Sequence, residues 1–154
     1  MIRTIFSYSY TYIIITILLG IIIVYLLHKR QLSMYAKTMP NNYNILKAEY
    51  GKPLCTFEGT VREIFSSSYS VEKVWHPVVV DVYVDFVIIS AFGYASILNS
   101  AGNNYVINNK EKSIQLSYSK SPYIMEIEFD KDEIGDGWSL MKKTLAAKDD
   151  TYIE

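Results

Sequence analysis

Chemistry-bearing residues are scarce in this sequence. Its 154 residues hold one cysteine, Cys55, and two histidines, His28 and His76. A lone cysteine closes no intramolecular disulfide, which fits a reducing compartment. No spaced set of Cys and His is present for zinc. No Gly-x-Ser-x-Gly elbow, no phosphate-binding P-loop and no Gly-x-Gly-x-x-Gly turn occurs. Cys55 and His76 are the minimum for an activated thiol. Nothing in their spacing pairs them, and Cys55 reads as a partly buried strand residue. The acidic stretch Glu126 to Asp136 offers Asp130 and Asp132 at the first and third positions of a calcium loop, with Gly135 at the sixth. Ile134 and Met141 then occupy the fifth and twelfth positions, where oxygen ligands are required. The expectation is a protein that is not an enzyme and takes no cofactor and no metal.

A basic surface is also lacking. Setting aside Arg3, Lys29 and Arg30 from the 15 lysines and arginines leaves 12 against 16 acidic residues, about −4 for the rest of the chain. That excludes nucleic acid as the expected partner, since it selects a clustered positive face.

What is present begins with grease. From Thr4 to Leu27 the only ionisable side chains are tyrosines, and Ile13 to Leu27 is nearly continuous Ile, Leu and Val. As a helix the whole run would be about 36 Å long, enough to cross a bilayer core of about 30 Å. A helix satisfies its own backbone groups, and lipid offers them no alternative. Tyr8, Tyr10 and Tyr12 near one end and Tyr25 near the other suit the two membrane interfaces. The span is expected at roughly 5–27. A cleaved signal peptide fits less well, because Tyr25 to Arg30 has no small-residue cleavage site. His28, Lys29 and Arg30 follow the span directly. This positive flank places the N-terminus outside and the following domain in the cytoplasm, with Lys29 and Arg30 flanking the membrane. Their contact with anionic headgroups is the functional alternative.

The remainder has the size of one domain. Gln31 to Met39 should continue the helix until Pro40 ends it. Asn41 or Asn42 can cap a short helix through Tyr50, with Tyr43, Leu46 and Tyr50 on one face and Gly51 as its stop. After Pro53 the pattern becomes that of strands: Leu54 to Phe65, with Gly59 as a bulge, Val78 to Tyr83, Phe86 to Phe92, Tyr94 to Leu98, Tyr105 to Ile107, Ser113 to Tyr118 and Tyr123 to Phe129. Ser66 to Ser70 is a turn or loop. Val84-Asp85 makes either a hairpin or the middle of one long strand. Ile134, Trp138, Met141 and Leu145 form a single apolar stripe on a last helix that Asp130, Asp132 or Asp136 can cap.

The fold class is therefore α+β: an N-terminal transmembrane helix, six or seven antiparallel strands forming a twisted sheet or partly closed barrel, and a C-terminal amphipathic helix. Residues 1–30 are the anchor, 31–52 a juxtamembrane linker with a short helix, 53–148 the β-rich domain and 149–154 a tail.

The run V-D-V-Y-V-D-F-V-I-I-S-A-F at Val80 to Phe92, the short meandering strands and the closing helix centred on Trp138 resemble a pleckstrin-homology-like domain. They are similar to small bacterial single-pass proteins that carry such a domain behind a membrane anchor, over about Pro53 to Ala147. The resemblance implies a tethered binding domain at the bacterial inner membrane. The phosphoinositide chemistry of eukaryotic relatives does not carry over, because Ser66 to Val74 holds only Lys73, beside Glu72. Pilin-like proteins resemble the chain only in outline, since their leader site and early glutamate are missing.

Tyr69, Trp75 and His76 are the candidate partner-binding residues, because loop aromatics make good interface anchors. For Trp75 the alternative is a cap on one end of the core. The expected function is a membrane-anchored, non-catalytic protein-binding or scaffolding module. Its partners are the lipid bilayer and a protein of unspecified identity. The second reading, prompted by the small, acidic, tyrosine-rich domain, is an immunity protein that neutralises a cognate bacterial toxin at the inner membrane.

Overall fold

A computed structural model describes residues 2–66, 72–102, 104–118, 120–130 and 135–146, with side chains from Tyr10 onward except at 72 and 73. The chain divides into two compact units, Met1–Ser33 and Met34–Glu154. The boundary lies inside one helix, α1, which runs from Ile2 to Thr38.

The first unit is helix alone. Every apolar side chain from Ile13 to Leu27 is exposed. Thr16 returns its hydroxyl to the Tyr12 carbonyl at 2.9 Å, so its polar atom is satisfied within the helix. From Tyr10 to Thr38 this helix is long and apolar enough to cross a membrane. In water such an all-round apolar surface would be strongly unfavourable.

The second unit starts with the final turn of α1. Met34, Tyr35 and Met39, in the segment the sequence marks as juxtamembrane, are buried in its core. Pro40 follows one residue after the helix, and Asn41–Asn42 then form a two-residue strand, β1. Asn42 also caps α2 (Tyr43–Tyr50), its side-chain oxygen accepting from the Asn44 and Ile45 amides. Gly51 ends the helix with φ of 71°, a conformation glycine adopts without penalty.

Seven longer strands follow: β2 (Cys55–Ser66), β3 (Glu72–Val82), β4 (Phe86–Ala91), β5 (Tyr94–Asn99), β6 (Tyr105–Asn108), β7 (Ser113–Ser117) and β8 (Tyr123–Glu128). They form one antiparallel sheet in the order β1-β5-β4-β3-β2-β8-β7-β6, curled into a half-barrel. β2 is the pivot. Its first part pairs with β3 and its later part with both β3 and β8, and the register shifts between Val61 and Glu63 on both sides. A bulge there bends the strand and curls the sheet.

Several expectations need correction. The eighth strand, β1, pairs Asn41 with Ala95 and Asn42 with Tyr94. Two asparagines carry no hydrophobic alternation, so no strand pattern announces it. The bulge is at Val61–Glu63 and not at Gly59. Gly59 instead makes room for a ring: a Cβ there would lie 2.5 Å from the Phe129 side chain. Of the two readings of Val84-Asp85 the hairpin turn is the one found, closed by the Tyr83 amide on the Phe86 carbonyl at 2.9 Å. β3 begins at Glu72, so Trp75, His76 and Pro77 lie in a strand and not in the loop before one. β4 pairs only with Val79 to Val82, so the earlier part of β3 overhangs β4. Pro77 is tolerated because no β4 partner requires its missing N–H.

α3 (Gly135–Ala146) contacts β2, β3, β4 and β5 and buries Trp138, Met141 and Leu145, as the stripe implies. Ile134, Asp132, residues 67–71 with Tyr69, and residues 149–154 lie outside the described residues. The main core lies on the concave face. Phe57, Phe129 and Trp138 form an aromatic run with centroids 5.6 and 5.4 Å apart, joined by Val, Ile and Leu from β2 to β5, β7 and β8 and by the end of α1. A second, smaller cluster of Leu46, Tyr83, Ile88 and Ala95 lies on the other face under α2.

Candidate functional site

His76 and Trp75 are neighbours on the overhang of β3, and strand alternation sends their side chains to opposite faces. Trp75 points outward and is 68% exposed. It does not close the core. His76 is half-buried on the concave side. Its Nδ1 lies 3.0 Å from the Tyr35 hydroxyl, and its ring meets that of Phe92 edge to face at 4.8 Å. Phe92 also packs against Tyr35, with centroids 5.1 Å apart. Tyr35, His76 and Phe92 thus converge from α1, β3 and the β4–β5 turn.

Sequence reasoning missed Phe92. It occupies the first position of a two-residue turn, Phe92-Gly93, between the paired residues Ala91 and Tyr94. Both turn residues have positive φ, 52° and 80°. Such hairpin turns favour Asn-Gly, because only small or locally hydrogen-bonding side chains adopt that conformation readily. A phenylalanine there carries backbone strain of about 1–3 kcal/mol. It is nonetheless 46% exposed, so burial offsets only part of the strain. The signal in the sequence was S-A-F-G-Y-A, an aromatic where a hairpin turn asks for Asn or Asp.

A polar clasp lies on the convex face. Asp81 is buried and accepts from the Tyr43 hydroxyl at 2.7 Å and from the Thr56 hydroxyl at 2.6 Å. Thr56 is its cross-strand partner, and Tyr43 comes down from α2. Burial, then the hydrogen bond and charge of Asp81, push the Tyr43 hydroxyl up to about 12. Burial and then the same carboxylate raise Tyr83. The clasp ties α2 to the sheet, and each carboxylate oxygen receives a hydroxyl donor.

Cys55 and His76 do not form a pair. Cys55 is in register with Val82 and His76 with Val61, so about 20 Å of strand separates them. Among the described residues no three His, Cys, Asp or Glu side chains gather as a metal site. Lys29 and Arg30 are exposed on α1 in the first unit. Comparison with known protein families, with curated proteins and with solved structures finds no match, so the reading of this chain rests on its own residues.

Proposed function

We propose that this protein is a single-pass, membrane-anchored binding or scaffolding module without catalytic activity. The observation that carries the reading is two exposed aromatics at the overhanging end of β3: Trp75 held outward, and Phe92, against His76 on the other side of the strand, half-exposed in a strained turn. Exposed aromatics on a rigid strand and a tight hairpin bring large contact area at little entropic cost, as interface hot spots do. Strain retained at an exposed position also points to use rather than to packing. A pleckstrin-homology-like identity is supported by the meander from β2 to β8, in which the long first strand bridges both halves, and by α3 across the concave face. The positive flank at Lys29 and Arg30 favours a domain on the cytoplasmic side of a bacterial inner membrane.

The test is capture of partners by tagged full-length protein solubilised in detergent. A stoichiometric protein partner retained by the wild type and lost by Trp75→Ala and Phe92→Asn is the expected result. Capture unaffected by both substitutions, with both variants folded, would overturn this surface. Identification of the partner as a toxin would select the immunity reading. Reporter fusions at the C-terminus should read cytoplasmic, and an external reading would reverse the orientation.

A further inference from the structure

A cavity of about 800 Å3 lies away from the overhanging end of β3, between the end of α2, the β3–β4 turn, the end of β5 and α3. Its lining combines two aromatic residues, Tyr50 and Phe86, with one acidic residue, Asp85, and with Ile97, Asn99, Ser100 and Thr144. No lysine or arginine among the described residues lines it. Lys47, one turn before Tyr50, is directed elsewhere, its Nζ lying 5.5 Å from the centre of the Tyr43 ring.

The rings are arranged as walls. Tyr83 stacks on Phe86 at 4.7 Å and 16°. Tyr50 meets Phe86 at 4.7 Å and 60° and Tyr83 at 6.2 Å and 63°. These three separations make close to a right angle at Phe86. Tyr50 and Tyr83 therefore do not sandwich Phe86. The Tyr83 hydroxyl donates to the Gly51 carbonyl at 3.1 Å, and the Tyr83 carbonyl accepts from Thr144 at 3.3 Å, so the stack is anchored to the ends of α2 and α3. Two aromatic planes inclined at about 60° beside one carboxylate give a cation two kinds of attraction, to ring quadrupole and to formal charge. An anion would meet Asp85 and the electron-rich faces with no balancing positive side chain among the described lining residues. A purely apolar ligand would strip water from Asp85, Asn99 and Ser100 without replacing it.

We propose that this cavity binds an organic cation, an ammonium or guanidinium group, presented by a small molecule or by a lysine or arginine side chain. Neither the anchor nor the exposed Trp75 and Phe92 are needed for this, so it stands apart from the proposed function.

The test uses the full-length chain in maltoside micelles, which carry no choline headgroup, and saturation-transfer NMR. Two matched pairs differ only in charge: choline against 3,3-dimethylbutan-1-ol, and N-acetylarginine amide against N-acetylcitrulline amide. At least one cation should bind while its neutral twin does not. Which pair responds identifies the source, small molecule or side chain. Asp85→Asn, a change at an exposed turn residue, should weaken binding at least about threefold, and Tyr50→Leu by a similar factor, while Asp85→Glu should retain it. Binding of neither cation, equal binding of cation and twin, or cation binding unchanged in both Asp85→Asn and Tyr50→Leu would overturn the proposal.

Discussion

The two faces of the curled sheet are held together by different physics. The concave face is closed by volume: Phe57, Phe129 and Trp138 pack one against the next with steeply inclined rings, and Gly59 and Gly137 give up their side chains to seat them. A Cβ at Gly137 would lie 2.7 Å from the Phe57 ring. The convex face is closed by direction: two hydroxyls converge on Asp81 and pin α2 to β3. The contrast extends to the polar atoms. Trp138 Nε1 is buried without a hydrogen-bond partner among the described residues, whereas both Asp81 oxygens are satisfied. A wall made of rings tolerates an unpartnered donor in return for fit. A wall made of hydrogen bonds cannot lose one so cheaply.

The largest blow to the concave face should be Trp138→Ala, at about 3–5 kcal/mol, from lost burial and the cavity left behind. Thermal melts followed by circular dichroism measure it. Trp138→Phe should cost far less, because Nε1 has no bond among the described residues to lose. An equal cost for both changes would mean that the indole nitrogen matters.

Gly59→Ala should come next, at about 1–3 kcal/mol, since the new methyl must displace the Phe129 ring. Adding Phe129→Leu should recover part of that loss in a double-mutant cycle. Simple additivity would remove the ring-seat account.

On the convex face, Asp81→Asn should cost about 1–2 kcal/mol by weakening both hydroxyl bonds. The same clasp makes a pH prediction. Tyr43 titrates at about 12 in the folded state against an ordinary value of 10.0. A raised pKa on an acid means that folding favours its neutral form. This stability is therefore fully present below pH 10 and is lost as the pH rises towards 12. Denaturant midpoints across that window should fall in the wild type and fall less in Asp81→Asn. Identical alkaline slopes would exclude the carboxylate as a contributor.

The smallest expected effect on stability is at Trp75. Exposed on the β3 overhang, it should change stability by no more than about 0.5 kcal/mol on replacement by Ala, even while it removes partner capture. A large destabilisation would return Trp75 to a structural role and sharpen the contrast differently, by making the outward face of β3 depend on packing as well.

Much of the architecture was readable in the residues themselves. The apolar run through Leu27 dictates a helix long and apolar enough to cross a membrane, because Ile, Leu and Val continue through it without a charge. Asn42 and Gly51 fix the ends of α2 through local backbone geometry, and the Trp138, Met141 and Leu145 stripe declares a helix with one buried side. These are consequences of chain-local chemistry: periodicity, capping and turn preference act within a few residues. Tertiary contact decided the rest. β1 exists only because β5 offers it a partner. The ring of Phe129 explains why residue 59 is glycine, and the overhang past β4 turns the residues around Trp75 into strand. Tyr35, His76 and Phe92 meet although they are far apart along the chain, and so do Tyr43, Thr56 and Asp81. Such meetings depend on the register of β2 against β3 and on where the bulge bends the sheet. Register is a cooperative choice of the whole sheet, so no single stretch of sequence contains it.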